Sequence, residues 1–391
     1  MLSSTRHGRL PLGETLSGLR TVARLAYVTL LFCFGGVRRA RRKLAEHGAV
    51  VILTFHRVLD DDSNQKSSSL PGIIIREGTF RKLAKYLVQH CDPVSLERAV
   101  PGDERSKLRV AITFDDGWRD NYSSALPIAK SFGLPFTVFI CPGLVGQNNP
   151  FWPEQVSALL TIGRASAKTI ENVIEGLKHQ SATDRDAYLE SLRKASSQNP
   201  RSVSEVDQLL SWGEIKKMRA AGVTFGSHTQ THQILTTIPK KSAATELRQS
   251  KSAIEAEIGE PCTTFAYPNG NCSSETRQWV ADAGYKRAVT TNRGAWTAEC
   301  DPLSLPRLNV SEGNVTGLFG QFSPMMFEYT TFWWAWRALS KSKTDQAAAQ
   351  LFDSGEAFRA RQGVDARRAY REGSPSPVLT PENESDSSGI I

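Results

Sequence analysis

Seven short runs of β-forming residues, at 49–55, 108–114, 135–140, 222–225, 263–267, 287–291 and 305–310, constrain this chain more than any other feature. Several are apolar at nearly every position. A strand with one wet face alternates apolar and polar residues, whereas a strand covered on both faces reads as a continuous apolar run. Helix-compatible stretches follow most of the runs, which predicts a parallel α/β sheet or barrel rather than a sandwich. A polar, helix-prone insertion at 151–210 separates the third run from the fourth, and its opening Trp152-Pro153-Glu154 reads as a helix start. A basic and apolar segment at 1–47 precedes the strands. A C-terminal helical segment at 313–371 and a compositionally disordered tail at 372–391 follow them.

Polar residues gather where a barrel would use them. His56 follows the first run, Asp115 and Asp116 the second, His228 the fourth, Pro268 and Asn269 the fifth, and Arg307 lies in the seventh. In a (β/α) barrel the C-terminal strand ends converge on one mouth, so distant residues meet there. Within Gly226-Ser227-His228-Thr229-Gln230-Thr231-His232 the two histidines are spaced i,i+4, which predicts both imidazoles on one face of a helical turn. Asp116 adds a carboxylate oxygen. Two histidines and one carboxylate with open positions make a catalytic divalent-metal site, zinc by its ligand types. A metal so held acidifies bound water and polarises a carbonyl, and the neighbouring Asp115 is placed to act as general base. Taken singly, an Asp-Asp-Gly is commonly a turn and an H-x-x-x-H an incidental helix face. Their joint placement at strand ends carries the metal-hydrolase reading.

Thr113-Phe114-Asp115-Asp116-Gly117, Ser227 to His232 with Leu235 beyond, and Phe265-Ala266-Tyr267-Pro268-Asn269-Gly270 resemble the three leading motifs of the polysaccharide deacetylases. This is the NodB-homology group, carbohydrate esterase family 4. The resemblance covers roughly 50–310 and lies nearest the poly-N-acetylglucosamine deacetylase-like branch. It implies a distorted (β/α) barrel, Asp115 as catalytic base, and Asp116, His228 and His232 as ligands of a divalent metal. The implied reaction removes acetyl groups, N-acetyl foremost and O-acetyl less often, from a polysaccharide or a lipid-linked glycan. Ala266 and Asn269 stand where many members carry arginine and tyrosine. The backbone N–H of Asn269 would still serve an oxyanion, and Arg307 is the candidate to orient Asp115. No histidine follows His232, so His56 is the candidate general acid in place of the family's late histidine. The alternatives are a hydrolase of small non-peptide amides, which a closed pocket would favour, and a catalytically weak glycan-binding relative.

Aromatic faces stack on sugars, so Trp296 and Trp152, with Tyr267 and Pro268, are the candidate substrate contacts. The net charge of +8 is concentrated near the two ends, with Arg38, Arg39, Arg41, Arg42 and Lys43 after the apolar stretch at 25–37. That distribution, with the arginines flanking the site-bearing region and no reader motif, argues against a nucleic-acid partner. The stretch is shorter than the roughly 20 apolar residues of a membrane span. Its densest charge follows the apolar residues instead of preceding them, against a signal peptide. It reads as an interfacial helix or the first helix of the fold. Phe332-Trp333-Trp334-Ala335-Trp336, with Arg337 and Lys341 nearby, reads as a helix docking on the barrel or meeting a membrane interface. The expected location is cytoplasmic or peripheral on an inner membrane, with a periplasmic one as the alternative. The six cysteines show neither finger nor disulfide-scaffold spacing.

Overall fold

A computed structural model of the chain describes residues 23, 25–147, 151–196 and 206–341. The predicted tail at 372–391 and the part of the C-terminal helical segment beyond 341 lie outside the described residues. Among the described residues ten strands form: β1 Val50–Phe55, β2 Arg57–Leu59, β3 Ile74–Arg76, β4 Asp92–Val94, β5 Arg109–Phe114, β6 Thr137–Ile140, β7 Thr224–Ser227, β8 Thr264–Ala266, β9 Arg287–Val289 and β10 Leu308–Asn309. All seven apolar runs contain strands, six of them within a residue or two of their expected ends, while the run at 305–310 shortens to Leu308–Asn309. Three short strands, β2, β3 and β4, arise from polar or mixed segments that carry no such run.

The main sheet follows the order β10-β1-β5-β6-β7-β8-β9 and is parallel throughout. β4 and β6 share one edge of β5: Asp92 to Val94 pair with its first half, and Thr137 and Val138 with its end. Leu53 of β1 pairs with Leu308, while Leu305, just upstream, bridges in parallel to Val289 of β9. The residues at 305–309 thus curl the sheet into a distorted barrel.

Strand alternation sorts the apolar residues into two layers. Val50 and Ile52 of β1 and Ala111 of β5 join Phe139, Ala266, Val289 and Leu305 in an inner cluster. Val51, Leu53, Phe55, Val110, Ile112 and Phe114 join the larger core. The inward row of β5 runs Ala111, Thr113 and then Asp115, which carries a carboxylate to the mouth. The described residues of the insertion form three helices, Trp152–Ile162, Ala167–Leu177 and Ala182–Ala195, around a small apolar core of their own.

Gly117 turns the chain out of the strand at φ 75°, and a Cβ there would lie 2.9 Å from the Ile140 side chain. Left-handed strain and overpacking act together at this position, so Gly117→Ala is expected to destabilise the fold by about 2 kcal/mol or more. Urea unfolding followed by tryptophan fluorescence measures it.

Candidate active site

Adjacent strand residues face opposite ways, yet both paired aspartates line one cavity. Asp115 continues the inward row and donates its N–H to the Phe55 carbonyl at 3.0 Å. Asp116 leaves the strand in the left-handed region, φ 73°, and this swings its carboxylate back to the same side. The cavity, of about 160 Å³, is lined at its floor by His56, Asp115, Asp116, His228, His232 and Asn269.

Arg307 grips Asp115 with both ends of its guanidinium, Nη1 to Oδ1 and Nη2 to Oδ2, each at 2.7 Å. Its Nε donates to the Thr290 carbonyl and its Nη1 also to Thr113 Oγ1. Burial alone would raise the Asp115 pKa. The Arg307 charge, with further help from His228, outweighs burial and holds the carboxyl well below the usual carboxylate range. Asp115 is therefore ionised at neutral pH.

Asp116 Oδ1 lies 3.6 Å from His228 Nε2 and 3.4 Å from His232 Nε2. The three candidate ligand atoms fall within 4.8 Å of one another. His228 Nδ1 donates to the Ala266 carbonyl at 2.7 Å, since a carbonyl only accepts. Burial pushes both histidines down to about 4, so both are neutral at pH 7. Neutral His228 then turns the bare Nε2 lone pair toward a carboxylate oxygen. Two electron-rich atoms in that arrangement repel unless a cation lies between them, so the donor set fits a divalent metal. Trp118 Nε1 donates to the other Asp116 oxygen at 3.1 Å and fixes its rotation.

The two histidines do not share a helical turn as their spacing predicted. His228 N bonds to the Ile140 carbonyl as an extension of β7, and Thr229 at φ 64° and His232 at φ 62° form a turn that no α-helix tolerates. The imidazoles meet across that turn, ring centres 4.9 Å apart. Asn269 is likewise left-handed, φ 58°, and among the described residues no acceptor takes its backbone N–H. His56 lines the cavity with a buried Nδ1 that has no hydrogen-bond partner.

The proposed sugar contacts divide. Trp152 and Tyr267 line the cavity, although the Tyr267 hydroxyl is engaged by the Leu303 carbonyl. Pro268 is buried in the turn beneath Asn269 and does not reach the cavity. Trp296 is not at the mouth. It bridges Val50 at the start of β1 and closes the opposite end of the barrel interior, with the Arg287 guanidinium 5.3 Å from its ring centre.

Residues 102–288 match the polysaccharide deacetylase family model. This segment is a polysaccharide deacetylase domain. The matched residues contain Asp115, Asp116, His228, His232 and Asn269; His56 and Arg307 lie outside them on β1 and β10 flanks of the same barrel. The chain is 24% identical over 221 residues to "Putative polysaccharide deacetylase YxkH" of Bacillus subtilis (strain 168), an alignment covering 56% of this chain and 58% of that protein. It thus spans less than two thirds of that relative. Solved structures similar to it include the Streptococcus pyogenes deacetylase PplD in complex with acetate, with 21% identity and a TM-score of 0.48 over 71% of this chain and 99% of that one. IcaB from Ammonifex degensii is 20% identical, with a TM-score of 0.46 over 68% and 94%.

Two features of the deacetylase domain's surroundings carry no sequence signal of their own. Glu154, in the first turn of the insertion, is buried against the cavity and accepts from Ser69 Oγ at 3.2 Å. An acid in a first helical turn has an ordinary explanation in the helix dipole, which hides this role. Burial, then the nearby Asp116 charge, pushes its pKa up to about 8. The second is fully buried Arg57, beside His56. It pairs with Asp120 at 3.0 Å and with Asp207, donates to Ser69 Oγ at 3.0 Å, and lies 4.2 Å from the Trp118 ring centre.

Removing one member of the buried Arg307–Asp115 pair leaves an uncompensated charge. Arg307→Met is expected to cost about 3–5 kcal/mol in chemical denaturation, with the Arg307→Met/Asp115→Leu double variant regaining most of it. Glu154 has a folded pKa above its ordinary 4.5, so its own contribution to the stability of the metal-free protein falls as pH rises from about 4.5 and the loss levels off above about 8. Glu154→Gln, which keeps the Ser69 hydrogen bond, removes that contribution, so the melting temperature of the variant is expected to gain on that of the wild type as pH rises across this range.

Proposed function

We propose that this chain is a metal-dependent hydrolase that removes N-acetyl groups from an acetylated glycan. One observation carries the reading: an ionised, arginine-held Asp115 shares a cavity floor with a three-ligand metal cluster inside a polysaccharide deacetylase domain. Asp116, His228 and His232 would hold the metal, which when bound supplies Lewis acidity toward water and the acetyl carbonyl. Asp115 takes a proton from the attacking water as its oxygen bonds to the carbonyl carbon. The Asn269 N–H receives the negative charge that develops on the carbonyl oxygen. The C–N bond then breaks, His56 gives a proton to the departing amine, and acetate and a free amino sugar result.

The cavity also favours a second reading. Phe151, Trp152, Ile174 and Lys178 of the insertion wall it on one side, and so small a cavity suits a small amide as well as a single acetamido sugar. Acetate release from N-acetylhexosamine polymers, lipid-linked sugars and small amides, measured with and without chelator, separates the two. Glycan turnover abolished by chelation supports deacetylation, and turnover of small amides alone supports the alternative.

Asp115→Asn is expected to lower kcat by about 100-fold or more, the scale of a lost general base, while retaining stoichiometric zinc by elemental analysis. His228→Ala is expected to lose both activity and metal. Full turnover in either variant refutes the assignment.

A further inference from the structure

We propose that the barrel face opposite the catalytic mouth docks on an anionic lipid surface. The helical residues 25–33 bury Val28, with Leu25, Leu31 and Phe32, against Met326 and Tyr329. They leave a second, apolar stripe in water. Tyr27, Leu30 and Phe34, at i, i+3 and i+7, are 48%, 56% and 81% exposed. Trp334, 38% exposed, extends the stripe: its ring lies 6.2 Å from that of Tyr329, which in turn lies 6.3 Å from Tyr27. A stripe of this kind is unusual on a free surface and marks a contact.

Cations border the stripe. The helix Gly36–Glu46 presents Arg38, Arg39 and Arg42 to solvent directly after Phe34, and one cleft is lined by these arginines together with Phe34 and Lys107. Lys82 and Lys85 line the cleft beside it. Among the described residues no carboxylate pairs with Arg38, Arg39, Lys82 or Lys85, and the buried acid of this region, Glu328, is taken by Arg41. Arg38 and Arg337 stand over the rings of Phe32 and Trp333, at 5.5 and 6.0 Å. Aromatic and aliphatic side chains ringed by basic ones suit the headgroup region of an anionic bilayer. Charge argues against a second copy of this chain, because self-pairing would press like-charged arginines together. No helix among the described residues is long and apolar enough to cross a membrane, so the contact lies along the surface.

The position of the face sets the orientation of the enzyme. Gly36–Glu46 leads through Gly48 into the start of β1, and Leu108 precedes β5, so the basic cleft sits at the N-terminal strand ends. His56 and Asp115 follow the C-terminal ends of the same strands. At about 3.3 Å per residue, six-residue strands separate the two by roughly 20 Å, and the mouth points away from the bilayer. The docking face shares no residue with the catalytic cavity.

The test is sedimentation of the full chain with vesicles of phosphatidylcholine alone and of equal parts phosphatidylcholine and phosphatidylglycerol. Binding to the anionic vesicles only, weakened by salt, is expected. Arg38→Glu/Arg39→Glu/Arg42→Glu should lower the partition coefficient by about 100-fold, and Leu30→Ser/Phe34→Ser should also weaken it, with unchanged melting temperatures and acetate release from a soluble substrate. Equal binding to neutral vesicles, binding unaffected by the triple variant, or no binding at all overturns the proposal. So does a concentration-dependent dimer in sedimentation equilibrium that Phe34→Ser dissociates, which would assign the face to a second copy.

Discussion

The bidentate contact between Arg307 and Asp115 is where fold and chemistry depend on one another. A carboxylate in a barrel interior costs several kcal/mol to desolvate, and here the opposing charge comes from the far side of the closure. Arg307 sits between Leu305, which bridges to β9, and Leu308, which pairs with β1. Its Nε holds the Thr290 carbonyl just beyond β9 while its Nη atoms hold Asp115 and Thr113 on β5. One guanidinium therefore braces the closing seam of the barrel against β5. A buried ion pair is poor evidence for added stability when a hydrophobic pair could replace it. What a hydrophobic pair cannot do is keep a carboxylate ionised and aimed at the mouth.

The neighbouring candidate metal-ligand set, Asp116, His228 and His232, depends on backbone geometry more than on charge. Of the five non-glycine residues with positive φ among the described residues, Asp116, His232 and Asn269 line the cavity, and Thr229 shapes the turn between the histidines. A regular strand end would have sent Asp115 and Asp116 to opposite faces. The left-handed step at Asp116 brings them together, and Gly117, free to follow it, lets the chain leave the strand at once. Such positions cost of order 1–3 kcal/mol each and persist where the surrounding structure over-determines them. Here the surroundings are the Trp118 hydrogen bond to Asp116 and the Ala266 carbonyl on His228.

These conformations also mark the limit of what was legible in the sequence. The barrel was legible because burial on both strand faces writes itself as unbroken apolar runs, and the site residues were legible because carboxylates and imidazoles at strand ends have few packing uses. The geometry that joins His228 to His232 was not. The i,i+4 spacing suggested a helix, and nothing in Thr229 or His232 announces positive φ. Trp296 misled for a related reason: a large flat side chain stacks on sugars and plugs barrel ends equally well, and only its register with Val50 decides. Glu154 and Arg57 were hidden by ordinary explanations, a first-turn acid and a charged residue after a strand.

That hidden pair decides how the mouth is walled. The insertion has its own apolar cluster, separate from the main core, so hydrophobic contact alone would leave it loosely attached. Arg57 supplies the attachment by gathering Asp120 after β5, Ser67 and Ser69 from the loop before β3, and Asp207 with the Val206 carbonyl at the insertion's far end. Because Ser69 Oγ accepts from Arg57, its own proton is directed to Glu154 Oε1, and this ties the insertion's first turn to the same cation. The wall bearing Phe151, Trp152 and Glu154 is thereby held in register with the strand ends that carry His56 and Asp116. The position of the cavity wall is then set by a buried charge cluster rather than by the barrel, so the insertion can change its helices without disturbing the strand-end residues below as long as the partners of Arg57 remain.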